Sequence, residues 1–201
     1  CSFNPGDQIL FRKGSVWREQ LKITSSGSED NSIIFGSYGV GDNPKINGAN
    51  IITSWIEYNT NIWQSTLTTE PSQIYFDETR GIKVSSILLC DSANKWYWTS
   101  NILYVYSTSN PNTTYTNPGI EASVRTNIIT VNNRNNIILQ NITIKYSKIS
   151  TTGSIYINNS TNITIDSVIV NDNDGFAGIY IEGTGNNCVI KNSIIYNTIH
   201  T

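Results

Sequence analysis

The sequence predicts an all-β fold, a right-handed parallel β-helix carrying an aromatic-rich antiparallel β insertion, and three observations predict it. First, Asn136–Ile144, Asn162–Val170 and Asn187–Ile195 repeat one alternating pattern at intervals of 26 and 25 residues. Each is preceded by a second short alternating stretch, Ile129–Val131, Ile155–Ile157 and Ile179–Ile181, at intervals of 26 and 24. A period in this range marks a solenoid, a propeller or an array. Second, each unit holds three strands of three or four residues and no ten-residue helical segment. That content fits neither leucine-rich repeats nor propeller blades. It fits coils that bury together a core no single coil could bury alone. Third, Ile supplies 32 of the 201 residues and Asn 27. β-branched Ile suits strands with identical neighbours above and below, and Asn suits tight bends and stacked hydrogen-bonded ladders.

The chain reads in three parts. Residues 1–52 begin with a turn at Asn4-Pro-Gly-Asp7 and run through strands in Gln8–Phe11, Gln20–Thr24, Ser32–Phe35 and Pro44–Gly48, which suits one or two entry coils. Residues 53–120 interrupt the repeat and hold Trp55, Trp63, Trp96 and Trp98. There Lys95–Trp98 and Ile102–Tyr106, separated by Thr99-Ser-Asn101, predict a hairpin. The aromatic residues of this part read as its own core, with a sugar-stacking wall as the alternative. Residues 121–201 form three clear coils. Alternation turns Ile155, Ile157, Ile163, Ile165, Val168 and Val170 inward and their neighbours outward.

Charge and cysteine content narrow the function classes. The net charge is −2, whereas a nucleic-acid-binding surface needs a concentrated basic face. No apolar run approaches the 18 residues of a membrane helix. Three cysteines do not suggest a disulfide framework. Cys90 and Cys188 read as buried small hydrophobes. Cys1-Ser2 fits either a lipidated mature start or the start of a trimmed chain, and the latter is the reading adopted. The sequons at Asn112, Asn141, Asn158, Asn159 and Asn162 are expected by chance in an Asn- and Thr-rich chain.

Several segments carry a family resemblance. Pro5-Gly-Asp7, Lys13-Gly-Ser-Val-Trp17-Arg18, Ile34-Phe-Gly-Ser-Tyr38-Gly39 and Pro44-x-Ile46-x-Gly48 resemble the entry coils of bacterial right-handed β-helix proteins of the pectate-lyase-like superfamily. Trp96-Tyr-Trp98 followed by Leu103-Tyr-Val-Tyr-Ser107 resembles the β-rich insertion of some β-helix glycoside hydrolases. The resemblance is specific for architecture. It implies that polysaccharide lies along the first strand of each coil, with catalytic or calcium-binding carboxylates on that strand or the turn entering it.

Stacking the coils places the candidate site. On the first strand the outward columns are Thr130, Tyr156, Tyr180 and Asn132, Asn158, Glu182. In the turn entering that strand they are Tyr146, Asp172, Asn197 and Lys148, Asp174, Ile199. Asp172, Asp174, Glu182 and Lys148 are thus candidate catalytic residues, and Tyr156, Tyr180 and Asn158 candidate substrate contacts. Asp172, Asp174 and Glu182 are also a candidate Ca²⁺ ligand set, since hard oxygen donors suit that ion. The plain alternative is an ordinary polar turn with a surface pair between Lys148 and Asp174. Asp166 and Lys191 predict a cross-strand ion pair. His200, the single histidine, reads as a surface residue rather than a base or ligand.

Two chemistries stay open. A lyase would use a Lys or Arg base and a cation to neutralise a uronate; a glycoside hydrolase would use two carboxylates. A non-catalytic glycan-binding or structural surface module is the third reading. The expected partner is a polysaccharide, and the expected location is extracellular or at the cell envelope. With no polar cap legible at either end, the chain reads as a fragment of a larger protein able to associate end to end.

Overall fold

The computed structural model describes residues 2–184 and 187–199, so the readings on Cys1 and His200 lie outside the described residues. Two compact units divide the chain: Cys1–Gly48 with Arg125–Thr201, and Ala49–Val124. Among the described residues helix is confined to a 3-10 turn at Ile87–Leu89 and one turn at Pro111–Thr114.

The first unit is a right-handed parallel β-helix. Its first sheet stacks Leu21–Ile23, Ile129–Asn132, Gly153–Asn158 and Ala177–Glu182. A second sheet stacks Gln8–Arg12, Ile33–Tyr38, Ile137–Gln140, Ile163–Asp166 and Val189–Lys191. The third stacks Val16–Trp17, Lys45–Asn47, Thr143–Lys145, Ile169–Asp174 and Ile194–Ile199. All pairings within these sheets are parallel, and residues a repeat apart face each other: Ile129 pairs Ile155, Ile155 pairs Ile179, and Leu139 pairs Ile165.

The core follows from that register. Ile155, Ile157, Ile163, Ile165, Val168 and Val170 are all buried, in one cluster with Phe35, Ile46, Leu139 and Ile144. Cys188 packs against it half-buried.

Corners between sheets are set by residues in left-handed backbone. Asn136, Asn162 and Asn187 have φ of 56°, 56° and 57°. Asn141, Ser167 and Asn192 form a second such column, at 54°, 55° and 51°. Asn tolerates this region better than other side chains. The expected ladder is present, with Asn162 Nδ2 donating to Asn136 Oδ1 at 3.0 Å and Asn187 Nδ2 to Asn162 Oδ1 at 3.2 Å. Below Asn136 the coil carries Gly27, where a Cβ would come within 2.6 Å of the Asn136 carbonyl.

The second unit holds two sheets. A four-stranded sheet orders Thr79–Arg80, Ile74–Phe76, Ile120–Ser123 and Ala49–Ile52. A five-stranded sheet orders Ile82–Lys83, Lys95–Thr99, Ile102–Tyr106, Ile62–Thr66 and Ile56–Asn59. The predicted hairpin is there: Thr99 pairs Ile102 across Ser100 and Asn101, both at positive φ (49° and 64°). Two left-handed central residues are what a tight hairpin of matching twist requires. Trp55, Trp96, Phe76, Ile74, Leu103 and Val105 form the unit's own core, with Trp63 and Trp98 packed against it.

Candidate functional site

The outer face of the first sheet is assembled by register. Lys22, Thr130, Tyr156 and Tyr180 form one column, and Asn132, Asn158 and Glu182 the next. Tyr156 and Tyr180 stack with ring centroids 6.2 Å apart and planes 29° from parallel. Phe176 meets Tyr180 edge-on at 5.7 Å and 86°, and it is exposed. Tyr156 reaches diagonally across one coil and donates its hydroxyl to Glu182 Oε1. That hydrogen bond, with some desolvation, holds the Tyr156 phenol above its ordinary pKa. One face therefore offers aromatic rings, an amide at Asn158 and a carboxylate.

Phe176 was not legible in the sequence. It follows Gly175, whose φ is +136°, so it lies in a corner before strand alternation begins.

The other predicted residues are placed elsewhere. Asp172 and Asp174, read as turn residues, lie within the strand Ile169–Asp174. The strand bends at Asp172 (φ 51°) and its pairing resumes with Asn173 to Thr198 and Asp174 to Ile199. The turn reading rested on coil stacking and on the polar run Asn171–Gly175, whereas here one left-handed residue bends a strand that then continues.

Asp172 is engaged on the third sheet. Its Oδ1 accepts from Asn197 Nδ2 at 3.0 Å and its Oδ2 from Asn171 Nδ2 at 3.0 Å. Lys145 Nζ stands 3.8 Å from Oδ2 and 4.5 Å from the Tyr146 ring centroid. Asp174 is only 5% exposed. Its main chain is clasped by Ser147, whose carbonyl accepts from Asp174 N at 3.2 Å and whose Oγ donates to Asp174 O at 3.1 Å. Lys148 is half-buried, and its amide donates to the Arg125 carbonyl at 2.6 Å.

The structure thus brings Glu182 together with Tyr156, Tyr180 and Asn158, and it gives Asp172 a separate set of partners. Among the described residues no three His, Cys, Asp or Glu side chains gather as metal ligands, so Asp172, Asp174 and Glu182 do not form the group expected of them.

The expected ion pair on the second sheet is present, with Lys191 Nζ 3.4 Å from Asp166 Oδ2. Asp166 Oδ1 also accepts from Asn192 Nδ2 at 3.0 Å and from Ser167 Oγ at 3.0 Å. The Asn192 hydrogen bond leads the causes that hold the Asp166 carboxyl below its ordinary value.

No protein-family model and no curated protein matches the chain. Solved structures do. The complex of XylC with xylose superposes with a TM-score of 0.62 at 13% identity, over 98% of this chain and 49% of that one. A structure described as a glycoside hydrolase gives 0.62 at 8% identity, over 86% of this chain and 58% of that one. At such identities the likeness shows the fold alone. The chain spans about half the length of these two structures.

Proposed function

We propose that this β-helix acts on a polysaccharide laid across the outer face of its first sheet, with Glu182 as the reacting carboxylate of a glycoside hydrolase. The observation that carries the reading is the stacked pair Tyr156 and Tyr180 beside a carboxylate that one of the two rings holds by its hydroxyl. Aromatic faces suit the CH surfaces of pyranose rings, and the exposed Phe176 adds a third ring standing edge-on to Tyr180. Asn158 supplies donors and an acceptor for sugar hydroxyls. The fold-level likeness to a xylose complex and a glycoside hydrolase supports a carbohydrate context by analogy. A polymeric glycan as substrate suits work outside the cell or at its envelope.

A specific observation favours a second reading, a glycan-binding face without turnover. Hydrolysis uses two carboxylates, and the two outward columns carry only Glu182 among their described residues. A lyase has less support, because the single cation in those columns is Lys22, two strands from Tyr156.

The test is a panel of neutral glycans and polyuronates, read for new reducing ends, for unsaturated product in the ultraviolet, and for binding by calorimetry. Hydrolase action predicts reducing ends that Glu182→Gln removes at least a hundredfold while binding survives, and Tyr180→Ala should weaken binding. Binding lost in Tyr180→Ala with no turnover by the parent chain would select the non-catalytic reading. Unsaturated product would select a lyase, with Lys148→Ala as the next variant. Binding unchanged in both Tyr180→Ala and Glu182→Gln would remove the face from the function.

A further inference from the structure

A cavity of about 430 Å³ lies within the second unit, lined by Tyr58, Asn59, Ile62, Leu88, Asp91 and Tyr106 among others. Its volume falls in the range of small-molecule sites. We infer that it is a second carbohydrate site, one that takes a neutral mono- or disaccharide unit, independent of the first-sheet face.

The wall chemistry is that of a sugar pocket. Tyr58 is half exposed and presents a ring held edge-on by Tyr104 at 5.1 Å and 74°. Tyr104 is in turn stacked on Tyr97 at 6.4 Å and 26°, so the Tyr58 ring rests on a fixed aromatic base. Ile62 and Leu88 add apolar surface for the CH face of a pyranose, and Leu88 is 90% exposed at the cavity mouth.

The polar groups on the wall are already oriented. Asn59 Oδ1 accepts from Thr60 N at 2.8 Å. Asp91 Oδ1 accepts from Lys95 Nζ at 2.6 Å and from Ser92 Oγ at 3.2 Å. Groups fixed beforehand lose less side-chain entropy when a ligand binds. The Lys95 hydrogen bond also holds the Asp91 carboxyl below its ordinary value, so at neutral pH it accepts hydrogen bonds from hydroxyls and donates none.

Two facts narrow the ligand and the role. Asp91 is matched by Lys95, which leaves no net positive charge on this wall for a uronate. Cys90 also lines the cavity, but burial pushes its thiol up to about 11. It stays protonated near neutral pH and offers no thiolate nucleophile.

The experiment uses the whole chain and three probes, xylose, lactose and glucuronate, read by calorimetry and saturation-transfer NMR. Xylose or lactose should bind, with ligand signals that Tyr58→Ala weakens at least tenfold and Tyr58→Phe largely keeps. Tyr180→Ala should leave this binding in place, which separates it from the first-sheet face, and glucuronate should bind at least tenfold more weakly. Binding of xylose and lactose that ignores Tyr58→Ala, or glucuronate binding as tight as theirs, would overturn the inference. So would the absence of any binding that survives Tyr180→Ala. Because Tyr58 is half exposed, an unchanged melting curve for Tyr58→Ala separates loss of the site from loss of the fold.

Discussion

Replacing Ile165 by Ala tests the stacked core directly. Ile165 sits in the column Phe35, Leu139, Ile165, Ile190, and it is 1% exposed. The substitution removes three buried carbons, worth about 2.4 kcal/mol at about 0.8 kcal/mol per methylene. The parallel ladders to Leu139 and Ile190 fix the backbone on both sides, so the space closes poorly, and the residual cavity should bring the loss to about 3 to 4 kcal/mol. The same change one coil on is a built-in control. Ile190 is 47% exposed, so Ile190→Ala gives up about half the transfer energy and encloses no cavity, a loss of about 1 to 1.5 kcal/mol. Thr164→Ala, facing outward beside Ile165, should cost under about 0.5 kcal/mol. Urea unfolding followed by far-ultraviolet circular dichroism measures all three as midpoint shifts at constant slope. Equal losses for Ile165→Ala and Thr164→Ala would refute the inward assignment. Equal losses for Ile165→Ala and Ile190→Ala would refute the argument that burial by the next coil sets the magnitude.

The Asp166 carboxyl, depressed first by the Asn192 hydrogen bond, contributes stability that is present above the ordinary aspartate value near 4 and lost as pH falls through its lowered value; Asp166→Asn should flatten the acid limb of a melting-temperature profile below about pH 4, and an unaltered limb would show that the carboxylate contributes nothing. Calcium tests the three carboxylates: an ion held only by the native state would add about 2.7 kcal/mol at a hundredfold excess over Kd. Because Asp172 is already hydrogen-bonded through both oxygens and Asp174 is buried, millimolar Ca²⁺ is expected to leave the melting temperature unchanged, and a rise of several degrees abolished by Asp172→Asn would reverse that assignment. Val189, Ile190, Ile194 and Ile195 are all 46–57% exposed, so this chain should self-associate as concentration rises. Sedimentation velocity should show Ile190→Lys with Ile195→Lys suppressing it, and a monomer at all concentrations would contradict the expectation.

Register, core and corners were legible in the sequence because each depends on translation along the chain. A strand's side chains alternate with period two and coils stack at the repeat spacing, so Ile155 over Ile129 and Glu182 over Asn158 follow from counting. The Asn136, Asn162, Asn187 ladder follows the same count, and the hairpin around Ser100 and Asn101 follows from turn chemistry. Side-chain partners at the corners do not follow, because one left-handed residue breaks alternation and redirects whatever comes after it. Hence Asp172 finds Asn171, Asn197 and Lys145, and Asp174 is buried beside Ser147. Phe176 turns toward Tyr180, and Tyr156 reaches diagonally to Glu182. The sequence by itself determined which residues share a column, since spacing alone decides that. Only the tertiary structure decided which of them meet at a site, since that depends on backbone direction at the corners and on side-chain reach between coils.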